Sequence, residues 1–496
     1  MKKFRLFAAL IAALLCLQSC GIIVINDIDG KSADETTAEE TDLTTDTAEV
    51  KEIIIDKQTL AEMKNKAEEA LNGLDTEDYA GIRVFIAATD TLFYEGDGSR
   101  TPLTSDRVIR VKKISDKLHA DVNIISMSED ELYEKLKESV NNREYFADVI
   151  AVPSRLVGKL ASDGLIKSLR TVPGLDLKAD YFDSKAMAAF AGGHALYAAV
   201  GEGCFEPEKL YCVYFNKEMA KELGYDFYAL VSGGEWTLEK YAECAAAAEA
   251  AGYKSVVMNN PGKYKKMLIT GSGFDFVSSG VDTPPNANTF GEEYERKVKL
   301  IADLPDAART SNAKEEFLSG KALFYIDTLF AADESDPEET ETVNVEEEKK
   351  KMMNSELVWG MLPFPKYNKE TEYGTYISED AVVLCVPTYA SDDRLSGDLM
   401  EAFLASSIDY IKYNYIYHSM LDVVRDNGSV NSLNIIMNNP NYDFVLNMRS
   451  GFPTLYANTA GAFEDLLSGK LSFEEYKERE PDVIEYMEKW FPVTNR

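Results

Sequence analysis

The sequence predicts an α/β protein whose sheets carry helices on both faces. Apolar runs of strand length alternate with helically spaced apolar stripes from Ile82 to Val152, and the alternation restarts at Tyr211. With 496 residues, 45% of them hydrophobic, the chain is long enough for two or three cores rather than one.

Each element follows from its residues. From Lys31 to Val50 the chain is mostly Thr, Ala, Asp and Glu, which bury too little surface to offset the entropy of ordering, so a disordered tether is expected there. Leu60, Met63, Ala67, Ala70, Leu71 and Leu74 recur at helical spacing and predict a helix over Lys57–Leu74. Ile82–Ala87 is a β run, and Val108, Val111, Ile114 and Leu118 stripe a helix that leads to a strand over Val122–Ile125. Ser128 and Glu131 form a capping box before a helix with Leu132, Leu136 and Val140 on its buried face, and Ala147–Val152 is a third strand. Such alternation favours a parallel sheet, whose ligands gather at the carboxyl ends of strands, so the loops after strands are the places to look for function.

Tyr211–Phe215 opens a second α/β segment, and its strand runs into a helix over Lys217–Leu223 that Gly224 ends. Thr237 is the expected cap of a helix carrying the Ala-rich run Ala242–Ala251, with Gly252 as its stop. Lys314–Ser319 reads as a helix, Gly320 as a break, and Ala322–Ile326 as a strand. The charge blocks of Asp333–Lys351 read as a solvated insertion. Strand character resumes at Trp359–Phe364 and Ala381–Val386, and Asp398–Ser407 is helical. Tyr410, Tyr413, Tyr415 and Tyr417 alternate with apolar residues as core or surface positions.

The chain has 52 basic and 85 acidic residues, a net charge of -33, which argues against nucleic acid as a partner because phosphate binding needs a basic stripe. His119, His194 and His418 are scattered, with His194 in a glycine turn, and no catalytic, metal-ligand or phosphate-loop pattern occurs. No cofactor or metal is expected, and enzyme readings lose ground. Cys204 and Cys212 are near enough in sequence to bridge in an oxidising space, whereas Cys244 and Cys385 sit in apolar contexts typical of buried thiols.

At the N-terminus Lys2, Lys3 and Arg5 precede an apolar run from Leu6 to Leu17, too short for a comfortable span, which closes on Leu17-Gln18-Ser19-Cys20. This resembles a bacterial lipobox. The resemblance implies a signal peptide over 1–19, cleavage before Cys20, acylation of that cysteine, and a mature protein on the extracellular face, tied to the membrane by its lipid alone. Residues 20–56 would form an acidic flexible tether.

Further motifs carry a second resemblance. They are Asp148-Val149-Ile150 followed by Leu160 to Ile166, Val213-Tyr214-Phe215-Asn216-Lys217, Glu235-Trp236-Thr237, Phe317 to Leu323, and Trp359 to Pro365. In this order and spacing they resemble the solute-binding proteins of bacterial ABC importers, in particular the large family that includes the maltose-binding proteins. The resemblance covers about Ala80 to Ser407. It implies a two-lobed, type II periplasmic-binding-protein-like fold with crossings near Ala198 and Ser378 and a further one after Ser407. One lobe would take 57–197 and 378–412, the other 198–377 and 413–496. It further implies a monomer that captures a small solute, a carbohydrate first, and passes it to permease subunits. A surface-anchored polysaccharide enzyme and a sensor subunit for a membrane kinase are the rival classes.

Loop position nominates the ligand contacts: Thr89, Asp90, Thr91, Pro153, Ser154, Glu202, Phe205, Asp327, Thr328, Tyr376, Glu379 and Asp380. Where the family's sugar binders place an aromatic residue, this chain has Asp327-Thr328-Leu329, which argues against a stacked ring at that spot. The acids among the contacts lean against an anionic cargo, a lean that nearby Lys or Arg would reverse.

Overall fold

Two four-stranded sheets organise the chain, and what separates them in sequence is two crossings of the backbone. The computed structural model describes residues 22–25, 52–89, 102–280, 283–310, 312–331, 352, 355–421, 423–424 and 426–491. The signal segment with Cys20, the contacts Asp90 and Thr91, and the insertion from Asp333 to Lys351 lie outside them. Within the expected tether, Ile22–Ile25 pairs in parallel with Glu52–Ile55.

The first sheet has the order Val382–Cys385, Val149–Pro153, Arg83–Ala88, Asp121–Ser126. Its three early strands are parallel, as the strand–helix alternation predicts, but Val382–Cys385 runs antiparallel to Val149–Pro153. That strand arrives directly from the second sheet, without a helical crossover to reverse its direction, so the sheet is mixed rather than parallel. The second sheet, Trp359–Leu362, Tyr211–Asn216, Ala322–Thr328, Lys254–Val257, is mixed as well, because Tyr211–Asn216 is antiparallel to both its neighbours.

Local signals place the helices. Asp56 caps Lys57–Gly73 through its side chain, and Thr237 caps Leu238–Ala250. Gly224, Gly252 and Gly320 each follow a helix with φ of +82°, +87° and +74°, a left-handed conformation that costs glycine little. Trp236 is fully buried beside its helix and donates its indole N–H to Pro363 O at 3.0 Å. All four described cysteines are buried free thiols, so Cys204 and Cys212 are not bridged.

The helix Pro102–Leu118 departs from the expected stripe. Val108 is 37% exposed, whereas Arg107 and Arg110 are 4% and 3% exposed. The buried face is Leu103, Arg107, Arg110, Ile114 and Leu118, one residue round from the apolar reading. Partners meet part of the cost of burying two guanidinium groups: Arg107 donates to Phe205 O, and Arg110 to Asp106 and Ser407 Oγ, while Arg107 Nε and Arg110 Nη2 are buried without a hydrogen-bond acceptor among the described residues.

The two crossings lie side by side. Ser378 N donates to Lys209 O at 2.8 Å, and Leu210 bridges Ile377. The C-terminal segment then touches both sheets' surroundings. Toward the first, Asn447 reaches Ser154, a ring pair joins Tyr442 to Phe190 at 5.7 Å, and the Met448 backbone lies so close to Gly158 that a Cβ there would fall 2.7 Å from its Cα. Toward the second, Asp443 accepts from Phe276 N at 2.6 Å and Phe463 meets Phe276 at 5.6 Å.

Asp443 is buried beside Asp275. Burial raises both carboxyls, Asp443 to about 7 with the Asp275 charge adding, and Asp275 to about 6. A carboxyl raised in this way contributes stability that is whole below its ordinary value of 3.8 and is lost as pH rises through its folded value. Stability is therefore expected to fall as pH rises through about 6 to 7, and Asp275→Asn to flatten that fall in denaturant midpoints measured from pH 5 to 8.

Candidate functional site

The carboxyl end of the central strand Val149–Pro153 delivers Ser154 and Arg155 to the turn at Ser378–Ala381. Ser154 N donates to Ala381 O at 2.8 Å and Arg155 N to Glu379 O at 3.0 Å, so the loop and the crossing are held backbone to backbone. Ser154 Oγ lies 2.9 Å from Glu379 O and 2.6 Å from Asn447 Oδ1.

Two carboxylates of the crossing are then drawn to different sides. Asp380 Oδ1 takes Arg155 Nε at 2.6 Å, and Arg155 also binds Glu129 at 2.5 Å. Glu379 takes Lys266 at 3.0 Å on one oxygen and Arg449 on the other. Burial alone would raise Glu379, but the Lys266 and Arg449 charges outweigh it and hold the carboxyl below its ordinary value. Burial likewise works against Asp380, and Arg155, with Lys209 and Lys263 nearby, lowers it. Both are anions at neutral pH.

Beside them Tyr376 meets Tyr211 edge to face at 5.3 Å. Burial pushes the Tyr211 hydroxyl up to about 12, so it remains a neutral donor. Asp327, at the end of Ala322–Thr328, also acts on Tyr211, and its own oxygens are engaged by the Tyr325 hydroxyl, Thr328 N at 2.8 Å and Asn259 Nδ2 at 3.3 Å. Thr328 presents its carbonyl to the Tyr214 hydroxyl at 2.9 Å. Thr89 closes the end of its strand by donating its N–H to Ala151 O at 3.1 Å.

Of the nominated contacts, Pro153, Ser154, Tyr376, Glu379 and Asp380 thus form one neighbourhood, with Asp327 bordering it. Glu202 and Phe205 are elsewhere. They line a cavity of about 280 Å³ with Leu210, Ile377, Lys412 and Tyr442. Successive strand residues face opposite ways, so Leu210 and Ile377 turn toward that cavity while Tyr211 and Tyr376 turn from it. Phe205 is a packing residue against Tyr415 at 5.5 Å.

Sequence reading missed Arg155, Lys266, Arg449 and Tyr211. Arg155 was within reach as the neighbour of Ser154 after a strand, but Lys266 sits on a helix and Arg449 in the turn after another, neither with a local signature. Among the described residues no group of three or more His, Cys, Asp or Glu is placed to hold a metal ion, and no helix is long and apolar enough to cross a membrane.

The family model described as bacterial extracellular solute-binding protein matches residues 113–385. Among solved structures, the chain is similar to the sugar-binding protein MalE of Xanthomonas citri, at 12% identity and a TM-score of 0.54, covering 83% of this chain and all of that one. It is similar to the cyclic α-maltosyl-1,6-maltose binding protein of Arthrobacter globiformis, at 14% identity and a TM-score of 0.51, covering 82% and 100%. A cyclo/maltodextrin-binding protein complexed with maltotetraose is similar at 12% identity and a TM-score of 0.51, covering 84% and 98%. At these identities the likeness is one of fold, two α/β lobes of the type II periplasmic-binding kind. No curated protein matches the chain.

Proposed function

We propose that this chain, which belongs to the bacterial extracellular solute-binding protein family, captures a sugar or oligosaccharide between two lobes and hands it to an ABC permease. The lobes are 57–197 with 378–412 and 198–377 with 413–496, and acylated Cys20 holds the protein at the extracellular face. The observation that supports this is the crossing turn: Glu379 and Asp380 sit between the sheets and are gripped by Arg155 after a first-sheet strand and by Lys266 from the helix following a second-sheet strand. Groups from two bodies converging on one connection are what a closing receptor needs, because the solute then bridges them and selects the closed state. Polar side chains beside the Tyr211 and Tyr376 rings suit hydroxyls and the apolar face of a sugar.

The test is a thermal-shift panel on the purified protein with maltose to maltotetraose and other small glycans, the glycan recovered afterwards by chromatography. A bound sugar at one hundred times its Kd stabilises the native state by about 2.7 kcal/mol and is recovered intact. A sugar that is cleaved, or no shift with any glycan, overturns the reading. In parallel, Cys20→Ser moves the protein from the membrane to the soluble fraction of cells; unchanged membrane association would sink the lipid anchor.

A further inference from the structure

The charges at the crossing turn are out of keeping with the chain that carries them. The whole sequence has 52 basic and 85 acidic residues. Around Glu379 and Asp380 cations gather: Arg155, Lys209, Lys263, Lys266 and Arg449 act on these two carboxylates, and Arg155 also pairs with Glu129. Five cations thus act on two carboxylates in a chain whose acids outnumber its bases. One carboxylate, Glu379, holds two of the cations for itself, an oxygen to each, at a side chain only 18% exposed.

A cavity of about 410 Å³ opens on the same helix start. Lys265, Lys266 and Arg309 line it, against the acids Asp306 and Glu464. Lys265 is paired with Asp306 at 3.0 Å and Lys266 with Glu379, while Arg309 has no ionic partner among the described residues. Lys263, one turn earlier and near Asp380, also forms no ion pair among them. Lys266 therefore stands between a tyrosine-lined turn and a cavity with a spare guanidinium. Bringing so many cations together costs mutual repulsion, which an anion placed among them relieves.

Resting on the receptor reading above, we infer that the solute is an anionic saccharide, carrying a carboxylate or sulfate, whose acid group is received by Lys266 and Arg449 in place of Glu379. Glu379 is the internal occupant of that grip: a carboxylate with one cation on each oxygen reproduces what an acidic sugar would present. On binding, the solute's acid takes the two cations and Glu379 turns away, while the sugar face lies against Tyr211 and Tyr376. Arg309 and Lys265 are positioned for a second acidic unit of an oligomer.

Calorimetric titration of the purified full-length protein with trigalacturonate, a sulfated chondroitin disaccharide and neutral maltotriose, each at 20 and 300 mM NaCl, tests this. One of the two anions is expected to bind at least tenfold tighter than maltotriose at low salt, with the gap shrinking at high salt. Which anion it is separates a carboxylate from a sulfate ester. Lys266→Gln and Arg449→Gln are expected to lose at least tenfold for the anion and little for maltotriose. Glu379→Gln, which removes the internal competitor, is expected to tighten the anion. Maltotriose binding as well as or better than both anions, or Glu379→Gln weakening the anion, overturns the inference and leaves the receptor reading standing. Binding of none of the three, together with a glycan panel that shifts nothing, overturns both.

Discussion

Arg110→Met is expected to cost about 3–5 kcal/mol in chemical denaturation, the range for leaving a buried charge without its partner. Arg110 is 3% exposed, its Nη2 lies 2.9 Å from Asp106 Oδ2, and its other amino group donates to Ser407 Oγ. Burial lowers the pKa of the guanidinium and the Asp106 charge opposes this, so the ion pair offsets part of the cost of burying the charge. Methionine fills the stem but strands the Asp106 carboxylate, whose side chain is 12% exposed. The double variant Arg110→Met with Asp106→Leu is expected to recover most of the loss, because removing both charges also removes their desolvation cost. A double variant no more stable than Arg110→Met would show that the guanidinium acts through Ser407 and packing instead.

Trp236→Ala is expected to cost about 3–5 kcal/mol, the range for emptying a large aromatic site in a core. The indole is fully buried, with Phe227 at 5.2 Å, Tyr241 at 5.8 Å and Phe324 at 5.9 Å around it. Those rings come from two helices and the strand Ala322–Thr328, so the loss loosens three elements of the second sheet at once. Trp236→Phe keeps much of the ring contact but leaves Pro363 O without its 3.0 Å donor, and about 1–3 kcal/mol is expected there. Equal midpoints for the two variants would mean that the hydrogen bond, not the volume, carries the effect.

Signals that act over one turn of helix or one strand were legible in the residues. Thr237 announces its helix, Gly320 separates Ala313–Leu318 from Ala322–Thr328, and the Tyr211 strand begins where its apolar run does. Local patterning failed where a distant partner decided the outcome. Val108 reads as buried until Phe205 O, Asp106 and Ser407 draw two arginines inward over the same helix. The sense of Val382–Cys385 is fixed by where the chain comes from, which no pattern within four residues encodes. The candidate site shows the same divide. Ser154, Glu379 and Asp380 follow from loop position, but Lys266 and Arg449 meet at Glu379 across 113 and 70 residues of sequence, and the charge of the place changes once they are there.

The ring contact of Phe190 with Tyr442, continued by Phe491 against Phe444 at 5.8 Å and Phe452 at 5.0 Å, spans from the first sheet's side to the tail of the chain. If the proposed lobes part, the facing rings of Phe190 and Tyr442 are wetted, and exposing apolar surface raises the heat capacity. Opening of the proposed lobes is then expected to carry a positive heat-capacity change, so that its equilibrium constant bends with temperature instead of following a straight van't Hoff line.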